Sequence, residues 1–252
     1  MENKGVMATR TVPKEVIARN FSKCAYIYDR YANIQMKAAG ELAGVLPEDG
    51  IKDILEIGCG TGNYTHMLRK KFKPSRIKAV DISEEMIKVA AQKLRPSEIE
   101  FIIDDAEDMA LGNKFDLITS NAAFQWFRDL NQAILKYRDA LVEGGTLAFS
   151  AFGPRTFWEL REAAGRPPNG FLNQEAIEKI LNRYLGKVNV REFTIKEAHT
   201  SLAELLKKIK CTGARGDGSS AFSLKKTEER YREKFGRIEA TYEVYICSGH
   251  RH

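Results

Sequence analysis

Residues 54–62 read Ile-Leu-Glu-Ile-Gly-Cys-Gly-Thr-Gly. An apolar run carrying Glu56 meets three glycines at alternate positions, Gly58, Gly60 and Gly62. Apolar residues at helical spacing follow: Tyr64, Met67, Leu68 and Phe72. The order strand, glycine turn, helix is that of a nucleotide-type cradle. Glycine accepts positive φ, and its missing Cβ lets backbone N–H groups approach a ligand. The helix N-terminus adds partial positive charge. The dinucleotide fingerprint G-x-G-x-x-G aims that charge at a pyrophosphate. Here the third glycine comes one residue early, and Asn63 stands where the fingerprint has Gly. Glu56 would repel a pyrophosphate and pair with an ammonium, so the cradle suits a ligand with a cationic amino-acid end. A tight strand-to-helix turn without a ligand is the plain alternative, and this motif alone leaves it open.

The next two strands tip the balance. Residues 76–82 read as a strand ending near Asp81, where an acid commonly takes ribose hydroxyls. Ser83-Glu84-Glu85 then opens a helix with a cap and favourable charge. Residues 99–103 read as a third strand, followed by Asp104-Asp105-Ala106-Glu107. Three acids at three successive strand ends favour a bound ligand over chance. The pattern E-x-G-x-G-x-G resembles motif I of class I S-adenosylmethionine (SAM) methyltransferases. That resemblance implies a SAM site, yielding S-adenosyl-L-homocysteine, built from Glu56, Gly58, Gly60, Gly62 and Asp81, with Ile82 and Met86 alongside. It also implies Asp105 at the adenine amino group, the Ala106 amide beside it, and Asn121 near the amino-acid part.

The 252 residues are near the upper end for one domain. Apolar residues make up 43%, enough for a sizeable core. No apolar run approaches the roughly 18 residues of a membrane span, and the N-terminus has no signal-like apolar segment, so a cytoplasmic protein without a membrane partner is expected. Cys24, Cys59, Cys211 and Cys247 are scattered, without C-x-x-C. Reduced thiols and no metal are therefore expected. The net charge is +6. Much of the excess falls in 207–237, where Lys207, Lys208, Lys210, Arg215, Lys225, Lys226, Arg230, Arg232, Lys234 and Arg237 face four acids. Such a segment reads first as a solvated face; it would also suit an acidic partner. Tyr231 and Phe235 share one helix face there and read as core, not as a base-stacking platform.

Strands and helices alternate from 51 to 152, the sign of a parallel sheet covered on both faces. The expected fold is α/β, a doubly wound, mostly parallel seven-stranded sheet of Rossmann type. One domain spans 1–252: an N-terminal helical lid over 14–46, a SAM-binding core over 51–152, and substrate-side segments over 153–252, beginning with an insert after strand five. Strand four is 115–121; the next helix places Leu130, Ala133, Ile134, Tyr137 and Leu141 on one face. Gly144-Gly145 turns into strand five at 146–152. Pro167-Pro168-Asn169-Gly170 reads as a loop, 174–185 as a helix and 188–196 as a strand. Ser201 to Glu204 forms a capping box. Residues 213–220 read as a glycine-rich loop, Thr227 as the cap of a short basic helix, and 238–246 as a half-buried antiparallel edge strand.

Three further segments sharpen the resemblance. Phe21-Ser-Lys-Cys-Ala-Tyr-Ile-Tyr28-Asp29-Arg-Tyr-Ala-Asn-Ile-Gln35, Asn121-Ala-Ala-Phe-Gln125-Trp126 and Ser150-Ala-Phe-Gly153-Pro154-Arg155-Thr156-Phe157-Trp158-Glu159-Leu160 are similar to the BioC family, the malonyl-[acyl-carrier protein] O-methyltransferases of biotin synthesis. The second segment is shared with trans-aconitate methyltransferases, which keeps a small-acid carboxyl methyltransferase as the alternative. The BioC-type resemblance implies methylation of a malonyl thioester's free carboxylate, with malonyl-acyl-carrier protein (acidic) or malonyl-CoA as partner. A carboxylate is ionised at neutral pH and needs no general base, so catalysis reduces to alignment and exclusion of water. Arg155, after a Gly-Pro turn, is the expected carboxylate grip, approaching from the side. Tyr28 is placed to close over the methyl group or bond the carboxylate, and Gln125 and Trp126 to line the acyl pocket. A nucleic-acid substrate lacks support, because Asn121-Ala-Ala-Phe replaces the Asn-Pro-Pro-Tyr type of base grip.

Overall fold

The computed structural model describes residues 12–73, 75–94, 99–112, 114–167, 169–213 and 223–252. Pro168 of one expected loop and residues 214–220 of the glycine-rich stretch lie outside the described residues. Seven strands form one sheet: β1 Asp53–Ile57, β2 Arg76–Asp81, β3 Ile99–Ile103, β4 Phe115–Asn121, β5 Leu141–Phe152, β6 Gly186–His199 and β7 Ile238–His250. Their order is β3-β2-β1-β4-β5-β7-β6. β1 pairs in parallel with β2 and with β4, while β7 runs antiparallel to both β5 and β6. The chain therefore reverses its winding between β1 and β4, the switch point where open α/β sheets leave a crevice.

Alternation along the strands sorts the core into two layers. Ile54 and Leu117 face one layer, with Ala38 and Leu42 of α2 (Asn33–Val45) and Leu68 of α3 (Asn63–Lys71). Leu55, Ile57 and Ile118 face the other, with Ile134 and Tyr137 of α5 (Leu130–Ala140) and Leu181 of α7 (Gln174–Tyr184). Glu56 lies between residues of the second layer, so its side chain enters the first. α4 (Glu84–Leu94) follows β2, and Ser83 caps it by accepting the Met86 N–H at 3.3 Å. The expected doubly wound α/β sheet is the observed one.

Several boundaries differ. The N-terminal segment is not one helix. α1 (Lys14–Ser22) ends, a 3-10 turn covers Ala25–Arg30, and α2 begins at Asn33. No Gly or Pro marks that break; the aromatic run Tyr26-Ile27-Tyr28 is a poor helix former, and tertiary contacts set its path. β5 starts earlier than expected, at Leu141, with an irregular register before Thr146. α6 (Trp158–Ala164) falls inside the expected insert. α8 (Leu202–Cys211) begins as expected, with Ser201 accepting the Glu204 N–H at 3.2 Å. α9 (Leu224–Phe235) is capped by Ser223, whereas Thr227 is buried within it. β7 is not the edge. It sits between β5 and β6 with both faces covered, and β6 carries the exposed alternation.

The glycine turn is sterically specified. Gly58 has φ +68°, and a Cβ there would lie 2.5 Å from the Ala123 Cβ. Gly44, inside α2, has open space around its Cα. Gly58→Ala should therefore lose about 2–4 kcal/mol in urea unfolding, whereas Gly44→Ala should gain roughly 0.5–1 kcal/mol. Equal effects of the two substitutions would contradict the strained-turn account.

Candidate active site

The three cradle glycines have φ +68°, +54° and +81°, so all occupy the left-handed region. The Gly58 and Cys59 amides donate to the Val80 carbonyl at 2.8 and 3.0 Å, which ties the turn to β2. Asp81 bonds within the same scaffold: Gly60 N–H donates to its Oδ2 at 2.9 Å and Ser83 N–H to its Oδ1 at 2.8 Å. Burial pushes the Asp81 carboxyl up to about 6, against the pull of those two amides.

Glu56 is 1% exposed, and its Oε2 has no hydrogen-bond partner. Burial drives its pKa up to about 8; the Thr65 hydroxyl opposes the rise, and the Asp81 charge adds to it. Such a carboxyl is costly to ionise alone. It fits one kind of guest, a cation delivered into the crevice. The orphaned oxygen and the left-handed glycines thus suit the methionyl ammonium of SAM, and Glu56, the glycine turn and Asp81 could hold that cofactor. Ile82 is half-buried and Met86 buried beside Asp81.

The other expected contacts are engaged within the protein. Asp105 Oδ1 accepts from Lys14 Nζ at 3.3 Å and from the Glu107 amide at 3.0 Å. The Ala106 carbonyl accepts from the Tyr137 hydroxyl at 2.8 Å. Asn121 donates through Nδ2 to the Gln35 carbonyl at 3.1 Å and accepts from the Ser150 hydroxyl at 2.7 Å.

The N-terminal segment closes over this site by ties the sequence did not single out. Lys14 pairs with Asp105 and Glu107, Ser22 with Ser83 at 2.8 Å, and Tyr26 donates to Glu85 at 3.1 Å. Asp29 accepts from Thr61 at 2.6 Å and from Asn63 at 2.9 Å, and pairs with Lys93 at 2.6 Å. Asp29 and Gln35 do stand in the quoted 21–35 run, which is the one sequence signal that pointed to them.

Under the lid is a cavity of about 30 Å³. Phe21, Trp126 and Phe171 wall it, with Phe21 and Phe171 edge-on to Trp126 at 6.3 and 6.1 Å. Tyr28, Gln35, Gln125, Thr156 and Tyr242 supply its polar lining. That is room for a small guest held between the rings. Burial, reinforced by the Asp81 and Asp29 charges, raises the Tyr28 phenol far above its usual value. It is a neutral donor, not a base. Among the described residues the cavity lining contains no Lys, Arg, His or carboxylate.

Arg155 does not face this cavity. Its side chain is 63% exposed, 3.9 Å from Glu192 on β6. The turn after Gly153 explains this: Glu243 accepts the Arg155 amide at 2.7 Å, which aims the side chain outward while Thr156 and Phe157 turn inward.

This strand order, with a glycine cradle and an orphaned carboxylate at its switch point, defines a class I SAM-dependent methyltransferase. A methyltransferase-domain family model matches residues 54–145. The chain superposes on the N-methyltransferase NodS of Bradyrhizobium japonicum with S-adenosyl-L-homocysteine (TM-score 0.53, 16% identity, 93% of this chain and 98% of that one). It also superposes on Haemonchus contortus phosphoethanolamine N-methyltransferase 2 with SAM (TM-score 0.60, 18% identity, 98% of this chain and 61% of that one). Those likenesses are of fold. Sequence goes further. The chain is 37% identical to malonyl-[acyl-carrier protein] O-methyltransferase 2 of Ilyobacter polytropus, over 94% of this chain and 93% of that protein. It is 35% identical to the malonyl-[acyl-carrier protein] O-methyltransferase of Acetivibrio thermocellus, over 94% of each. The chain belongs to the malonyl-[acyl-carrier protein] O-methyltransferase family.

The Glu56 geometry gives a signed pH dependence. The folded state keeps a proton that the unfolded chain loses between about 4.5 and 8, so stability falls as pH rises through that window. Without ligand, Glu56→Gln should match the wild type below about pH 4 and exceed it by about 2 kcal/mol or more at pH 8. Parallel melting curves across that range would contradict the assignment. Asp81 titrates in both proteins and cancels in the difference.

Proposed function

We propose that this enzyme transfers the methyl group of SAM to the free carboxylate of a malonyl thioester, forming the malonyl methyl ester at an early step of biotin synthesis. The observation that carries this reading is the cavity lining of rings, amides and hydroxyls, with no general base among the described residues. An alcohol or thiol acceptor would need deprotonation there; a carboxylate arrives ionised. The family supports malonyl-acyl-carrier protein as the donor of that carboxylate, and malonyl-CoA offers the same reacting group.

Bound SAM supplies a methyl group on a sulfonium and leaves as S-adenosyl-L-homocysteine. In the proposed arrangement Glu56, ionised, takes the cofactor's ammonium; Gly58, Gly60 and Gly62 let the backbone approach; Asp81 takes the ribose hydroxyls; Ile82 and Met86 pack alongside. Asp105 and the Ala106 amide take the adenine edge, and the Asn121 backbone borders the amino-acid part. Tyr28 orients the acceptor carboxylate and Gln125 and Trp126 line the acyl group, so that an oxygen lone pair lies in line with the methyl carbon and water is excluded. Arg155, being outside the cavity, is not given the carboxylate. Of the basic residues of 207–237, Lys208 is buried against Glu197, while Lys225, Lys226 and Arg230 are exposed on α9 and would suit an acidic carrier protein. No described helix is long and apolar enough to cross a membrane, in keeping with work in the cytoplasm.

The test uses methyl-labelled SAM with malonyl-acyl-carrier protein, malonyl-CoA and trans-aconitate. Label should enter a base-labile ester on the malonyl thioesters, with the carrier protein preferred. Ester formation on trans-aconitate alone would overturn the proposal.

A further inference from the structure

Two side-chain amides of the cavity are unsatisfied. Gln35, on α2, and Gln125, after β4, each bury an Oε1 without a hydrogen-bond partner. An unpaired buried polar atom costs about 1–3 kcal/mol, and native proteins keep few. The Gln125 oxygen calls for a donor, whereas the Gln35 end, whose amide can turn, can meet an acceptor.

The remaining polar lining narrows the choice. Gln125 already donates through Nε2 to the Ala122 carbonyl at 2.7 Å, so its free end is an acceptor. The Thr156 hydroxyl is bonded on both sides within β7, to the Glu243 carbonyl and amide at 3.2 Å each. The Tyr242 hydroxyl donates to Glu197 at 3.4 Å. The Thr212 hydroxyl donates to the Lys208 carbonyl at 3.0 Å. Three groups remain able to donate into the cavity: the Tyr28 hydroxyl, the Trp126 indole N–H and the Gln35 amide, whose oxygen and nitrogen ends exchange by a half-turn. Gln35 is also the anchored one. Its main-chain carbonyl accepts from the Asn121 amide, whose oxygen accepts from Ser150, so the backbone of a lid residue is fastened to the ends of β4 and β5 beside the cofactor crevice.

We propose that Gln35 positions the acceptor carboxylate, turning its NH₂ onto the oxygen that does not attack, with the Tyr28 hydroxyl as second donor. This rests on the reading of the acceptor as a malonyl thioester. A neutral grip has a chemical advantage over an arginine. Charge-assisted bonds are about twice as strong, and they would favour the ionised ground state over a transition state in which the carboxylate loses charge. Amide and phenol donors orient the group while leaving the attacking lone pair available.

Gln35→Leu and Gln35→Glu test this with malonyl-acyl-carrier protein, reading kcat and KM separately alongside S-adenosyl-L-homocysteine affinity. Gln35→Leu should lose about 10- to 100-fold in kcat/KM, with cofactor-product affinity and melting temperature held. Gln35→Glu should be weaker still at pH 8 and recover part of its rate as pH falls, because a protonated Glu again donates a hydrogen bond. A purely structural role for Gln35 would not give that pH profile. An active wild type with Gln35→Leu within twofold of it, or a Gln35→Glu rate that does not rise with acid, overturns this assignment alone. A wild type inactive on the malonyl thioester overturns the functional reading and this assignment with it.

Discussion

A carboxyl group buried at the centre of the sheet with one oxygen unpaired is the constraint on which the rest depends. Glu56 is flanked by β2 and β4, registers with Ala79 and Thr119, and is shut from solvent. Burying such a group neutral costs less than ionising it there without a counter-ion, which costs several kcal/mol. β1 therefore holds a site set for a cation. The glycine turn that follows must bend sharply, because any bulk at Gly58 meets Ala123. The two features are adjacent in sequence because a strand end and its turn form one wall of the crevice.

The lid follows from the same arrangement. Its polar ties end on Thr61 and Asn63 beside the glycine turn, on Ser83 and Glu85 after β2, and on Asp105 and Glu107 after β3. These loops frame the crevice, so the N-terminal segment is tied to the crevice's rim at three points. The Lys14–Asp105 pair is the clearest case: the acid expected at the adenine edge also receives a lysine from the lid. Tyr28 and Gln35, in contrast, reach past those loops to line the aromatic cavity. One segment thus contacts both halves of the site, which links cofactor binding to acceptor placement.

What could be read in advance was local. β3 and β4 match their expected bounds because apolar runs between turn residues encode strands directly, and Ser83 and Ser201 capped the helices they preceded. The cradle was legible because left-handed turns demand glycine. Strand order was not: 238–246 alternates like a half-buried edge, yet β7 lies between two strands because α6 and α7 cover what the pattern treats as its solvent face. The break between α1 and α2 carries no Gly or Pro; it follows from the poor helix formers at 26–28 and from the docking of Ser22, Tyr26 and Asp29. Arg155 shows the limit for side chains. Its position after a strand end was read correctly, but its direction depends on Glu243, 88 residues away. Gln35 had no composition signal at all; its role emerges from an atom left unpaired.

The central claim is that Glu56 is stored as a neutral acid and ionises when the cofactor's ammonium arrives. Titration calorimetry of S-adenosyl-L-homocysteine binding near pH 7, in two buffers of different ionisation enthalpy, measures this directly. The account predicts net release of most of one proton by the wild type, because a group with pKa about 8 is largely protonated before binding, and none by Glu56→Gln. Identical binding heats in the two buffers for the wild type would contradict it.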